Sequence, residues 1–420
     1  MDLRQDIFII PLEDNRFIIY APLRKAVFYA NENAINVVQK YIKGEENFED
    51  EKNTKIYKYL KQLEEISPIS PRENNLDLDS KLIIVLSQLC NLSCYYCYAK
   101  ETRSKEVLCQ EKLKIAIDYL LSNPISDRKR FTFIGGGEPT MTWDLFEWAI
   151  EYVTVSKKEN QAVEFSLTTN GTLLSDEKIS FLKKNNVYVG LSFEILPEIQ
   201  NIQRKHINNE LKSFDMVDST IYKLIDNGVS FGIRSTITKN NVNLMKDMVD
   251  FVSKKYITVK EIRFEHVHGT DDDDENYYDA FIDNFFIAKK YGKEKGIELT
   301  NSISVALSQM KIKFCRGEFC ITPTGDLVSC HRISSNKDKL FTYYNYGYID
   351  KQIIIEKPKM ERVLYFAKSK MDECETCFAK WHCAGDCSVE RLTLTKDQRV
   401  FKCRFIKRIV MKLLQERLTK

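Results

Sequence analysis

The sequence predicts an α/β fold organised on a parallel sheet, and three observations predict it. Between Lys81 and about Lys290, short apolar runs alternate with amphipathic stretches. Six such strand-then-helix units follow one another, which in one sheet requires right-handed crossovers. CNLSCYYC, GGGEP, TTNG and SFE each fall at the C-terminal end of a predicted strand, the edge where parallel α/β folds gather their ligands. Periodicity leaves open whether the sheet closes.

The elements follow in order. The chain has 420 residues, 43% of them hydrophobic, enough for a sizeable core and two or three domains. Residues 1–75 read as a small unit of their own. IFIIPL and RFIIYAPL flank the turn EDNR as a hairpin, and AVFYA is a third strand. A helix follows with Ala34, Val37, Val38, Tyr41 and Ile42 on one face, and a second runs from about Thr54 to Ile66. SPISPRENN, with two prolines and mostly polar residues, reads as a linker. The six strands are KLIIVLSQ, RFTFIGGG, VEFSLTTN, VYVGLSFE, VSFGIRSTIT and VKEIRFEHV, with helices such as EKLKIAIDYLLS and LFEWAIEYVTVS between them. EHVHG places His266 and His268 on one side of the last strand, where two histidines without a third ligand read as satisfied polar residues. The acidic run DDDDE reads as a solvated loop, and RVFKCRFIKRIVMKLLQERLTK as a basic amphipathic helix with a solvated face.

A net charge of +3 gives no argument for a nucleic-acid surface. The first apolar run breaks after four residues at Pro11, and no stretch approaches the length of a membrane span. The expectation is a cytoplasmic protein with no nucleic-acid or membrane partner. In that compartment clustered cysteines bind metal more often than they form disulfides.

There are 12 cysteines. CNLSCYYC spaces Cys90, Cys94 and Cys97 at intervals of four and three. Three thiolates cannot complete a tetrahedral zinc shell or give each iron of a four-iron cluster its own ligand, so one coordination position stays open. Eight more stand in the last third: Cys315, Cys320, Cys330, Cys374, Cys377, Cys383, Cys387 and Cys403. They would saturate two four-ligand sites, although CxxC pairs taken alone serve zinc as well as iron–sulfur centres. Cys109 fits no ligand spacing and reads as a small packing residue at a helix start.

CNLSCYYC matches CxxxCxΦC with Tyr96 in the aromatic position, and so resembles the signature of the radical S-adenosylmethionine (SAM) enzymes. The pattern Cys315-x9-Gly325-x4-Cys330, a gap, Cys374-x2-Cys377-x5-Cys383-x3-Cys387, a gap, Cys403 resembles the cysteine-rich extension called SPASM. The two stand in the family's order with GGGEP between them. The resemblance implies a partial (β/α)6 TIM-like barrel over residues 80–305 and an auxiliary-cluster domain over 306–420. It implies that Cys90, Cys94 and Cys97 ligate three irons of a [4Fe–4S] cluster whose fourth iron binds the amino and carboxylate groups of SAM. An electron from that cluster would cleave SAM and generate a 5′-deoxyadenosyl radical able to take hydrogen from unactivated carbon.

Further roles follow from the same resemblance. Gly136, Gly137 and Glu138 match the GGE motif that holds the methionine ammonium, and Tyr96 should lie near the adenine. Asn170, Ser192 and Arg204 stand where the family contacts ribose and carboxylate. Many relatives read SxDG after the fourth strand; this chain reads SFEI, with Glu194 in the Asp position. In the extension, Cys315, Cys320, Cys330 and Cys387 would hold one auxiliary [4Fe–4S] cluster, and Cys374, Cys377, Cys383 and Cys403 the other.

The N-terminal unit, three strands followed by helices, resembles the winged-helix-like recognition element fused to many maturases of ribosomally made peptides. There a leader peptide adds as a strand to a sheet edge. The expected activity is therefore hydrogen abstraction from a precursor peptide and installation of a thioether or carbon–carbon cross-link. The expected partners are that precursor with its leader and an electron donor such as flavodoxin or ferredoxin. The alternatives are oxidation of a protein residue, as by sulfatase maturases, or of a small molecule, and peptide epimerisation. Sulfatase maturases would carry an Asp after the cysteine matching Cys330 as proton acceptor, whereas this chain has His331.

Overall fold

A computed structural model describes residues 2–13, 15–45, 54–73, 76–270, 274–368 and 372–419. Asp14 of the expected EDNR turn and residues 271–273 of the acidic run lie outside them. The chain opens with strands β1 (Phe8–Pro11), β2 (Phe17–Ala21) and β3 (Ala26–Ala30), an antiparallel sheet with β2 in the middle. Two helices follow, Glu32–Lys43 and Lys55–Glu65. The first starts where the Asn31 side chain accepts from the Ala34 amide at 3.0 Å and stops at Gly44, whose φ of 70° lets the last carbonyls bond back. Ile35, Val38 and Tyr41, spaced by three, pack with Leu60 and Leu63 against Ile19 of the sheet.

The six predicted strands form in order: β4 (Lys81–Ile84), β5 (Arg128–Phe133), β6 (Ala162–Thr169), β7 (Tyr188–Ser192), β8 (Phe231–Ile237) and β9 (Glu261–His266). Each lies parallel to the one before. The sheet stays open. On one side β10 (Glu298–Thr300) adds parallel to β9. On the other, β11 (Cys320–Ile321) adds parallel to β4 and leads into the antiparallel strands β12 (Asp326–Val328), β13 (Asn345–Ile349) and β14 (Ile353–Ile355). The cysteine-rich region thus begins as a continuation of the main sheet.

Alternation sets the two faces of that sheet. Ile233 and Ile237 on β8, with Ile262 and Phe264 on β9, join the core under helices Ser213–Asp226, Met245–Lys255 and Glu275–Glu294. Arg234 and Thr236, with Glu265, face the other way and line a cavity. A second core packs Leu82, Ile84, Phe131 and Phe133 against helices Gln110–Ser122 and Trp143–Ser156.

Long-range packing adds to two expectations. Within the SPISPRENN linker, whose Asn74 and Asn75 lie outside the described residues, the Ile69 amide donates to Leu23 O at 2.8 Å and the Arg72 amide to Met310 O at 2.9 Å. The basic face of the C-terminal helix, Lys396–Leu418, stays partly exposed but is also paired. Arg404 pairs with Glu275 at 2.7 Å, Arg408 with Asp279, and Lys412 with Asp283 at 3.1 Å, a ladder with the four-residue period of two facing helices. The N-terminal unit is bolted to the cysteine-rich region. Trp381 Nε1 donates to Asp6 Oδ1 at 2.8 Å, Tyr20 Oη lies 2.5 Å from His382 Nε2, and Ile10, Ile18 and Tyr20 share a core with Ile406 and Leu413.

Candidate active site

The cysteine loop leaves the end of β4 and is pinned from three sides. The Ser93 amide donates to Lys205 O at 2.8 Å, and the Ile207 amide to Asn91 O at 3.0 Å. Asn91 Nδ2 donates to Thr172 Oγ1 at 2.8 Å and its Oδ1 accepts from Asn170 Nδ2 at 3.0 Å, which ties the loop to the end of β6. Arg103 Nη1 donates to Leu92 O at 2.9 Å and Nη2 lies 3.3 Å from Cys97 Sγ. Burial pushes the Cys94 thiol up to about 11 and raises Cys90 as well. Thiols held this way ionise readily only when a cation binds them.

GGGEP follows β5 and explains its own glycines. A Cβ on Gly136 would sit 2.7 Å from Ser87 O, and one on Gly137 only 1.8 Å from Leu89 O, in the stem of the cysteine loop. The Gly137 amide donates to Ser87 O at 2.9 Å and the Glu138 amide to Leu89 O at 2.6 Å. The two motifs therefore need backbone-to-backbone contact that any side chain would block. The Glu138 carboxylate accepts from Thr140 N (3.1 Å), Thr140 Oγ1 (2.7 Å), Thr169 Oγ1 (2.6 Å) and Asn170 N (2.7 Å). Three of these bonds fall on Oε1, so acceptor capacity remains chiefly on Oε2.

The fourth-strand motif, SFEI, builds a buried brace. Glu194 accepts from Tyr96 Oη, Arg204 Nε (2.7 Å), Ser235 Oγ (2.6 Å) and Thr236 N (2.8 Å). The Arg204 guanidinium also sits 5.5 Å from the Tyr96 ring centroid. Ile195, next in the chain, holds φ at 69° with its side chain fully buried. A β-branched residue is strained there, and it stands where SxDG would place glycine.

Cys90, Cys94, Cys97, Tyr96, Gly136, Gly137, Glu138, Asn170, Ser192 and Arg204 all line one cavity of about 410 Å³. Its far wall comes from Arg234, Arg332, Asp386, Glu390 and Lys402, which sequence reasoning passed over, together with His266, His268, His331 and Cys387. The histidine rings meet edge to face at 4.1 Å between centroids, and burial lowers the pKa of both well below the usual value. His268 Nδ1 lies 3.2 Å from Glu390 Oε1, but His266 Nε2 is buried with no partner among the described residues. The view of both as satisfied polar groups is corrected for His266. Their place at the end of β9 was the available signal, since the other motifs also sit at strand ends. Lys402 Nζ bonds Asp386 at 2.8 Å and also Glu390, which Arg332 approaches at 3.2 Å. His331 Nδ1 is 3.0 Å from Glu318.

The C-terminal cysteines divide unequally. Cys374, Cys377, Cys383 and Cys403 line a second cavity of about 590 Å³, a donor set that fits a four-iron cluster. Cys315, Cys330 and Cys387 lie close together: after burial and the Glu318 charge, Cys387 raises the pKa of Cys315, and Cys387 and Cys315 raise that of Cys330. Cys320 does not join them. Register with Ile83 on β4 packs it in an apolar cluster with Ile83, Val85 and Val328, and its charged neighbours are Glu318 and Lys81. Three thiols of the expected four thus feel one another's charge, while Cys320 packs with the sheet. Among the described residues no three His, Cys, Asp or Glu side chains converge on a single-ion site. Cys109 is exposed and bonds Glu111 rather than packing.

Residues 84–252 match the model of the Radical SAM superfamily. An uncharacterized protein of Methanocaldococcus jannaschii is 30% identical over 184 residues, 44% of this chain and 61% of that one. The cysteine-type anaerobic sulfatase-maturating enzyme of Clostridium novyi is 23% identical over 339 residues, 73% of this chain and 87% of that one. Among solved structures, native anSMEcpe with bound AdoMet and Kp18Cys peptide superposes with a TM-score of 0.68 at 21% identity, covering 81% of this chain and 99% of its own. Streptococcus suis SuiB bound to precursor peptide SuiA superposes at 0.51 with 14% identity, covering 94% of this chain and 98% of its own. These likenesses carry the fold. No helix among the described residues is long and apolar enough to cross a membrane. The superfamily match falls on the strands that carry the cysteine loop and GGGEP, so residues 84–252 are a radical SAM domain, whose cofactors are SAM and an iron–sulfur cluster, in an enzyme with a cysteine-rich C-terminal region.

Proposed function

We propose that the chain matures a ribosomally made precursor peptide, removing hydrogen from it and closing a thioether or carbon–carbon cross-link by net oxidation. One observation carries this reading: a single cavity joins the Cys90–Cys94–Cys97 loop to Cys387 and Arg332 of the cysteine-rich region. A substrate between them has a radical-generating centre on one side and an electron acceptor on the other. When bound at the loop, the cluster supplies the electron that cleaves SAM. The chain's own residues do the rest. Arg103 and Asn91 hold the loop, Glu138 ties GGGEP to TTNG, and Glu194 fixes Tyr96 and Arg204. Asn170, Ser192, Arg204 and the GGGEP backbone are in place to orient SAM. Cross-link formation removes two hydrogens; one leaves by abstraction, and the other as a proton plus an electron passed to an auxiliary cluster, with a flavodoxin- or ferredoxin-type donor outside the chain. The setting is the cytosol.

The N-terminal sheet supports a peptide substrate. β1 and β3 are its edges, and an extended leader can add to either by main-chain hydrogen bonds. The SuiB fold covers 94% of this chain where anSMEcpe covers 81%. A second reading, oxidation of a protein residue in the manner of sulfatase maturation, is favoured by the 339-residue match to the C. novyi enzyme, while His331 in place of the expected Asp counts against it.

The test is anaerobic incubation of reconstituted protein with SAM, a reductant and each short peptide found to be encoded next to its gene. The expected product is lighter by two hydrogens per modification, with a cross-link located by tandem mass spectrometry. An unchanged mass accompanied by inverted residues would mean epimerisation. Oxidation of a sulfatase-derived peptide without any cross-link would establish the second reading.

A further inference from the structure

Five cationic side chains line the active cavity, and four are already committed. Arg103 bonds Leu92 O and Cys97 Sγ, Arg204 bonds Glu194, Arg332 pairs with Glu390, and Lys402 bridges Asp386 and Glu390. Arg234 is the exception. It is exposed into the cavity and makes no ion pair, ring contact or side-chain hydrogen bond among the described residues. None of the cavity's carboxylates pairs with it. Glu138 accepts from Thr140, Thr169 and Asn170; Glu265 is engaged by Ser302 and Arg263, and Asp386 and Glu390 by the cations above. His266 and His268, which feel Arg234, stay neutral and offer no competing charge.

A guanidinium presents a planar fork of donors matched to a carboxylate. Position decides which carboxylate. Arg234 lies on β8 opposite Ser192 of β7, on the side of the cavity built by β9 and the cysteine-rich region. Arg204 lies at the cysteine loop, where its charge reaches the Cys94 thiol and its guanidinium covers Tyr96. Only Nε of Arg204 is taken by Glu194, so the methionine carboxylate of SAM, destined for the cluster at that loop, falls to the Arg204 Nη groups. Resting on the peptide-maturase reading, we propose that Arg234 anchors a carboxylate of the peptide substrate, an Asp or Glu side chain close to the residue modified.

The methionine carboxylate has the same chemistry, so the experiment separates the two. The probes are N-acetylglutamate methylamide and N-acetylglutamine methylamide, titrated calorimetrically into reconstituted holoenzyme saturated with S-adenosylhomocysteine. The glutamate probe should bind roughly tenfold more tightly than its neutral twin, as a charge-assisted pair requires. Arg234→Gln should abolish the preference and Arg234→Lys should keep part of it, while affinity for S-adenosylhomocysteine changes less than about twofold. Equal binding of the two probes to the unmodified enzyme would overturn the proposal. So would a roughly tenfold loss of S-adenosylhomocysteine affinity in Arg234→Gln, which would assign Arg234 to SAM. No turnover is read, so failure here leaves the maturase reading standing, and a missing peptide product leaves the carboxylate preference intact.

Discussion

Arg204 Nε donates to Glu194 Oε1 at 2.7 Å, and Tyr96 Oη donates to the same oxygen. Glu194 is fully buried and the Arg204 side chain is only 11% exposed. The pair is thus part of the protein's frame before any ligand arrives. Glu194→Ala would leave a buried guanidinium without its counter-charge, at a cost of about 3–5 kcal/mol. Urea denaturation should register that loss in protein free of SAM. Unaltered stability with weakened SAM binding alone would show that Glu194 serves the ligand and not the frame.

Ile195 makes an unusual comparison available. At an ordinary position glycine is less stabilising than alanine by about 0.5–1 kcal/mol. At φ 69° the Cβ itself is the burden, worth about 1–2 kcal/mol. Both Ile195→Ala and Ile195→Gly lose a buried side chain and should be less stable than the parent, by about 1–4 kcal/mol. Ile195→Gly should nevertheless be the more stable of the two by thermal unfolding. Alanine proving better would mean the backbone relaxes out of the left-handed region.

Iron analysis distinguishes Cys320 from its neighbours. Cys320→Ala, which alters an apolar cluster, should leave the iron content of anaerobically reconstituted protein unchanged. Cys330→Ala should remove about four irons per chain, one cluster's worth. Equal losses from both variants would restore the four-thiol assignment.

Acid should loosen the bolt between the N-terminal unit and the cysteine-rich region. Burial lowers the His382 pKa to about 4, from 6.5 unfolded, and its neutral ring lies against Tyr20 Oη and Gln309 O. A depressed folded pKa contributes stability that is present above pH 6.5 and lost as pH falls through about 4. The contribution is roughly 3 kcal/mol. Melting curves of the wild type and His382→Gln should therefore converge between those two pH values. A gap that is constant with pH would exclude this titration.

Much of the frame is legible in the chain itself. Alternation in VSFGIRSTIT and VKEIRFEHV marks strands whose odd and even residues part to opposite faces, and a parallel order puts every special motif at one edge. Neighbours in sequence decide these features, through backbone geometry and burial of one face. The spacing of the cysteines likewise names the radical SAM loop before any coordinates exist.

Other features depend on residues far apart in sequence. No local pattern shows that β11 would join the edge of β4 and pack Cys320 among Ile83, Val85 and Val328. None shows that the cations of the last helix would meet carboxylates 129 positions earlier. The same holds for the active cavity. The sequence by itself determined the sheet, the radical SAM loop and the order of the motifs, because each is written in short-range periodicity and spacing. Only the tertiary structure decided that Glu194 is a brace and that Arg234 is left without a partner among the described residues, because whether a charge is paired depends on everything packed around it in space.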